Sequence, residues 1–224
     1  MTRLAILDCD GTLVDSGAII VATVAETFAL HGIDVPPANV CRGGIGLSLV
    51  EAMARLAPDL DAVEHIDLAE TYKTCFFRAR QEGRVDEPLF DGISDLLDAL
   101  EGDGWLLAVA TGKSDRGLRH CLEKHGIHAR FVSLQTADRH PSKPDPSMVL
   151  AAIADTGSNP GVTIVIGDTA YDMGMARAAG ATALGAGWGY HDVAELLAGG
   201  AHAVADRPRS VFPLVTDLME RTDG

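Results

Sequence analysis

The stretch LAILDCDGTLVDSG, residues 4–17, constrains the fold of this chain more than any other. An apolar run leads out of the interior straight into three carboxylates, Asp8, Asp10 and Asp15. Burying one ionised carboxylate is costly, and burying several together is worse unless a cation or a hydrogen-bond network offsets their charge. If the run is a core strand, something positive belongs at its end. Residues two apart on a strand share a side, so Asp8 and Asp10 are expected to face one crevice while Cys9 turns away. Gly11 permits a sharp turn there, and Thr12 can hydrogen-bond locally. The competing reading of Asp-x-Asp-Gly is a solvated turn or a calcium loop. A calcium loop needs a bidentate Glu at its end, where this chain has Ile19.

Short apolar or β-branched runs recur at residues 3–9, 105–111, 131–134, 162–167 and 182–186, with helical patterns between most of them. That alternation predicts a doubly wound α/β core, a parallel sheet covered by helices on both faces. Ligands of such sheets collect at the carboxyl ends of the strands. Asp8, Thr111 and Asp168 stand at or just past strand ends, and Lys143 follows one after a loop, so the four are expected to converge. Between residues 16 and 88 the period is helical, with AIIVATVAETFALHG and HIDLAETYKTCFFRARQEG each ending at a glycine stop. An insertion of about seventy residues is too long for a βα loop. It predicts a helical cap domain over 16–88, with a core domain over 1–15 and 89–224. The linkers fall near Asp15 to Gly17 and Val85 to Gly92.

Composition narrows the function. A formal net charge of −14 repels nucleic acid and anionic membrane surfaces, so an anionic ligand has to be met by local cations. Cys9, Cys41, Cys75 and Cys121 lack CxxC spacing, which argues against a zinc site or a disulfide framework and for reduced thiols. With no secretory leader pattern and no run long enough to span a bilayer, the expectation is a soluble cytoplasmic protein.

Three further segments carry chemistry. In TIVIGDTAYDMGMARAAGA, Gly167 and Asp168 end a β-branched run and Asp172 opens a helix. Helix capping would account for these two acids alone. Joined to Asp8 and Asp10, they form a set of hard oxygen donors that suits Mg²⁺ better than zinc or copper. In LAVATGKS, Thr111 and Gly112 end a strand before a helix, where a hydroxyl and backbone N–H groups make an anion cradle. In HPSKPDP, prolines hold Lys143 in a turn that cannot continue a helix, fixing a positive charge.

The four segments in this order resemble the haloacid dehalogenase superfamily, in its phosphatase branch with a helical cap after the first strand, and look closest to phosphoglycolate phosphatases. Asp8-Cys9-Asp10-Gly11-Thr12 is the most specific match, followed by Thr111, Lys143, and Gly167-Asp168 with Asp172. The resemblance implies a Mg²⁺-dependent hydrolase of small phosphorylated metabolites, with phosphoglycolate the leading candidate. Asp8 is implied as nucleophile and Asp10 as general acid and base. The implied metal ligands are Asp8, the backbone carbonyl of Asp10, and Asp168, supported by Asp172. Thr111, the Gly112 amide and Lys143 are implied to hold the transferring oxygens. Gly112 departs from the Asn more common there. A sugar-phosphate mutase and a non-catalytic regulatory relative are the alternative readings.

The cap segment CRGGIGLSLVEAM offers Arg42 and a glycine loop including Gly44 as a candidate anion site for the leaving group. Lys73 reads as an ordinary exposed helix lysine. His120, His125 and His128 lack metal-ligand spacing and read as structural or solvated. Trp188 and Tyr190 either wall the crevice, pack the core or dock the cap.

Overall fold

The computed structural model describes residues 2–222, so Met1 and residues 223–224, at the two ends of the predicted core range, lie outside it. Strand β1 (Leu4–Leu7) is buried along its whole length and sits in the middle of the sheet. It pairs in parallel with β2 (Leu106–Thr111) on one side and β4 (Thr163–Gly167) on the other. Strand β3 (Phe131–Thr136) extends the sheet beyond β2, and β5 (Thr182–Ala186) and β6 (Ala203–Ala205) extend it beyond β4. The order β3-β2-β1-β4-β5-β6 makes the gap between β1 and β4 the point where the winding reverses, which is where a ligand crevice opens in such a sheet. All five predicted strands are present. Strand β6 was not predicted, because three residues of Ala-Val-Ala at a sheet edge carry too weak a period.

Because side chains alternate along a strand, the sheet feeds two apolar layers. Ala5, Leu7 and Cys9 face α5 (Ile93–Gly102), α6 (Asp115–Lys124) and α10 (Val211–Thr222). Leu4 and Ile6 face α7 (Ser147–Thr156) and α8 (Ala170–Ala178), with α9 (Val193–Ala198) alongside. The insertion forms α1 (Gly17–Leu30), α2 (Ala38–Arg42), α3 (Leu49–Leu56) and α4 (Ala62–Gln81). These four share an apolar cluster of their own, built on Val24, Phe28, Met53 and Leu68. Helix α4 starts at a capping box in which Asp61 and Glu64 satisfy each other's backbone N–H groups. The two connections into the insertion lie side by side: Asp15 N donates to Pro88 O at 2.9 Å, and Phe90 N to Leu13 O at 3.1 Å. No helix among the described residues is long and apolar enough to cross a membrane.

Candidate active site

Asp8 follows the last residue of β1 and Asp168 the last residue of β4, so the reversal in winding sets two carboxylates across one gap. Asp172 joins them from the first turn of α8, and oxygens of the three lie within 4.8 Å of one another, all buried. Lys143 supplies the positive charge that this cluster demands. It is 2% exposed, and its Nζ lies 2.9 Å from Asp8 Oδ1 and 2.6 Å from Asp172 Oδ1. Burial disfavours the charged ammonium, but Asp172 and Asp8 outweigh it and raise the Lys143 pKa.

One lysine does not neutralise three carboxylates. Burial pushes Asp8 up to about 7, with Asp172 and Asp10 adding to the rise and Lys143 opposing it. Asp168 is pushed well above the ordinary carboxylate range by burial and by Asp8 and Asp172. The oxygens are not equally committed. Asp172 Oδ2 accepts from Thr169 N at 3.0 Å and Thr169 Oγ1 at 2.6 Å, so Asp172 is occupied by Lys143 and by the cap of α8. Asp168 accepts from Thr12 Oγ1 at 2.9 Å and Tyr190 N at 3.0 Å. Asp8 Oδ1 accepts from Cys9 N at 2.6 Å, while Asp8 Oδ2 is buried without a partner. An orphaned carboxylate oxygen beside a second buried carboxylate, both hard donors, fits a small divalent cation such as Mg²⁺. Gly11 makes this approach possible. Its φ of +85° turns the chain, and a Cβ there would sit 2.1 Å from Asp168 Oδ2.

Asp10 stands apart from the cluster. Its carboxylate takes Lys113 Nζ at 2.8 Å and a short hydrogen bond from Ser16 Oγ, and Lys113 also reaches Glu87 Oε1 at 2.7 Å. Thr111 is buried at the end of β2, and Gly112 follows it.

A family profile described as haloacid dehalogenase-like hydrolase matches residues 5–186, from β1 through the end of β5. The chain belongs to that family. Among curated relatives, the hydrolase is 33% identical over 210 residues to a probable phosphatase, IndB, of Dickeya dadantii, covering 92% of this chain and 90% of IndB. It is 31% identical to a phosphoglycolate phosphatase of Agrobacterium fabrum, over 86% and 84% of the two chains. A solved hydrolase from Pseudomonas syringae superposes with a TM-score of 0.84 at 25% identity, covering 97% and 99%. The hydrolase is thus an enzyme of the phosphatase branch.

The structure brings Asp8, Lys143, Asp168 and Asp172 into one buried cluster, sets Asp10 and Gly112 on the lining of the cavity under the insertion, and leaves Thr111 buried at the end of β2. Trp188 packs against the core layer and also holds the first loop, and Tyr190 holds that loop. Trp188 Nε1 donates to Thr12 O at 3.1 Å, and Tyr190 OH accepts from Ser16 N at 3.0 Å. His125 is structural, fixed at 2.7 Å on Glu87 O.

The helical insertion lies closed on the core. Tyr171 OH donates to Gly43 O at 3.0 Å, and Ser48 N to Ser142 Oγ at 2.8 Å. Between insertion and core is a cavity of about 560 Å³, reaching Asp10, Gly112 and Lys113. Gly44 lines it, whereas Arg42, the cation expected there, does not: it is exposed at the end of α2. The docking of the glycine loop onto the core turns Gly44 inward and leaves Arg42 outside. The cavity's cations are Lys73, Arg80, Lys113 and Arg116. Arg80 had only its helical spacing to mark it, and Glu87, 1% exposed, had no sequence signal at all.

Proposed function

We propose that this hydrolase is a Mg²⁺-dependent phosphatase that cleaves small phosphate monoesters through an aspartyl-phosphate on Asp8. The carrying observation is the unpartnered Asp8 Oδ2, a buried carboxylate oxygen left free beside Lys143 and Asp168. Asp8 and Asp168 are the residues to hold the metal, with the backbone carbonyl of Asp10 beside them, while Asp172 orients Lys143. Bound Mg²⁺ offsets the repulsion between an anionic nucleophile and an anionic phosphate. Asp8 attacks the phosphorus, and the P–O bond to the alcohol breaks. Asp10, steadied by Lys113 and Ser16, gives its proton to the departing oxygen. It then takes one from the water that releases phosphate from Asp8. Thr111, the Gly112 amide and Lys143 hold the phosphoryl oxygens. The soluble, cytoplasmic setting of such an enzyme belongs to the same reading.

Phosphoglycolate is the first candidate ester, on the strength of the Agrobacterium relative's name. The test is phosphate release from a panel of monoesters with and without Mg²⁺, beside Asp8→Asn. Metal-dependent turnover that the variant lacks is the expected result. Turnover that survives in Asp8→Asn refutes the covalent route.

A further inference from the structure

The cavity between insertion and core has room for more than a two-carbon acid. Its volume of about 560 Å³ lies within the range of roughly 300–1,000 Å³ that encloses drug-sized ligands. One wall is apolar, with Ile20, Val24, Met53, Leu56, Tyr72 and Phe76 among its residues. The charge of its lining runs against that of the chain. Four of the chain's 18 lysines and arginines line it, but only two of its 32 acids, Asp10 and Asp138.

Two of the four cations are already engaged, Lys113 by Asp10 and Glu87, and Lys73 by Glu70 at 2.6 Å. Arg80 is not. Its guanidinium lies over the Phe76 ring, 5.2 Å from the centroid, and its Nε is buried without a hydrogen-bond partner. A guanidinium laid on an aromatic face keeps its edge N–H groups in plane, free to meet a carboxylate in two parallel bonds. A buried donor left open in this way calls for an acceptor. Arg116, from the core, lies over Phe77 at 4.8 Å, likewise without an ion pair among the described residues.

Resting on the phosphatase reading, we propose that the preferred substrate is a phosphate monoester of an amphipathic alcohol larger than glycolate, whose far end carries a carboxylate received by Arg80. Asp10 connects the two halves. The residue that serves the departing oxygen also lines the cavity, so the alcohol's body extends from Asp10 along the apolar wall toward Arg80. Phosphoglycolate, with only two carbons in its alcohol, falls outside this class.

The test uses the full chain with Mg²⁺ and three esters of primary alcohols: phosphoglycolate, benzyl phosphate and 4-carboxybenzyl phosphate. The carboxybenzyl ester should exceed both others in kcat/KM by about tenfold, the worth of one charge-assisted contact. Arg80→Gln should cut the ratio of carboxybenzyl to benzyl ester by about tenfold through KM, and Arg80→Lys by less. Arg78→Gln, an exposed residue paired with Glu26, should leave the ratio unchanged. Should Arg80→Gln fail to fold, product inhibition of the unaltered enzyme gives the second reading. There 4-(hydroxymethyl)benzoate should inhibit at about one-tenth the concentration of benzyl alcohol. Phosphoglycolate as the best of the three, a ratio indifferent to Arg80, or equal inhibition by acid and alcohol overturns the inference and leaves the phosphatase reading standing. No phosphate from any ester removes that reading itself.

Discussion

Replacing Gly112 by Ala tests how closely the helical insertion must seat on the core. A Cβ at position 112 would lie 2.3 Å from Leu47 O and 2.8 Å from Gly46 O, both backbone atoms of the docked glycine loop. An ordinary contact begins at 3.4 Å, and a backbone carbonyl cannot swing aside as a side chain can. The loop must therefore retreat by about 1 Å, and a misplacement of that size costs up to about 100-fold in rate. That corresponds to about 2.7 kcal/mol of barrier. The φ of Gly112 is not positive, so Ala suits the local backbone, and the cost in stability is that of the displaced loop, about 1–3 kcal/mol. The assay is steady-state phosphate release with Mg²⁺ beside thermal unfolding of the same samples. A large fall in kcat/KM with only a modest fall in Tm is expected. A kcat/KM within threefold of the original would show that closure against Gly112 is not needed for turnover.

Two further outcomes follow from the buried charges. Lys143→Met leaves Asp8 and Asp172 without their shared cation and should lower the unfolding free energy of the metal-free protein by about 3–5 kcal/mol at neutral pH, read from urea melts. The deficit should shrink near pH 5, where Asp8 holds a proton, and an equal deficit at both values would contradict the charge account. Asp8 has its pKa raised from 3.8 to about 7 on folding. Between those values the folded chain keeps a proton that the unfolded chain has released, so this group's contribution makes metal-free stability fall as pH rises through that window. Mg²⁺ needs the ionised carboxylates, so its increase in Tm over an EDTA control should be larger at about pH 8 than at about pH 5.5, and a shift of the same size at both would refute the assignment.

Much of the site was legible because it lies in local sequence. Asp8 and Asp168 each follow a buried β-branched or apolar run, and a strand that ends in an acid is visible without knowing its neighbours. Lys143 was legible through its prolines, and Asp172 through the turn that opens α8. Arg42 misled because a cation beside a glycine loop is a reasonable anion site, and nothing local tells which way such a loop will dock. Arg80 and Glu87 were silent for the same reason. Arg80 gains meaning from Phe76 one turn away and from the cavity it enters, and Glu87 from a lysine 26 residues on.

By itself the sequence determined the alternation of strands and helices, the helical insertion after β1, and the acids and lysine of the crevice, since periodicity and turn chemistry act over a few residues. Tertiary structure alone decided which carboxylate oxygen stays unpartnered, which glycine admits the docked loop, and which arginines line the cavity. Each of those depends on chain segments far apart in sequence coming within a few ångströms, and that is settled by packing rather than by any local preference.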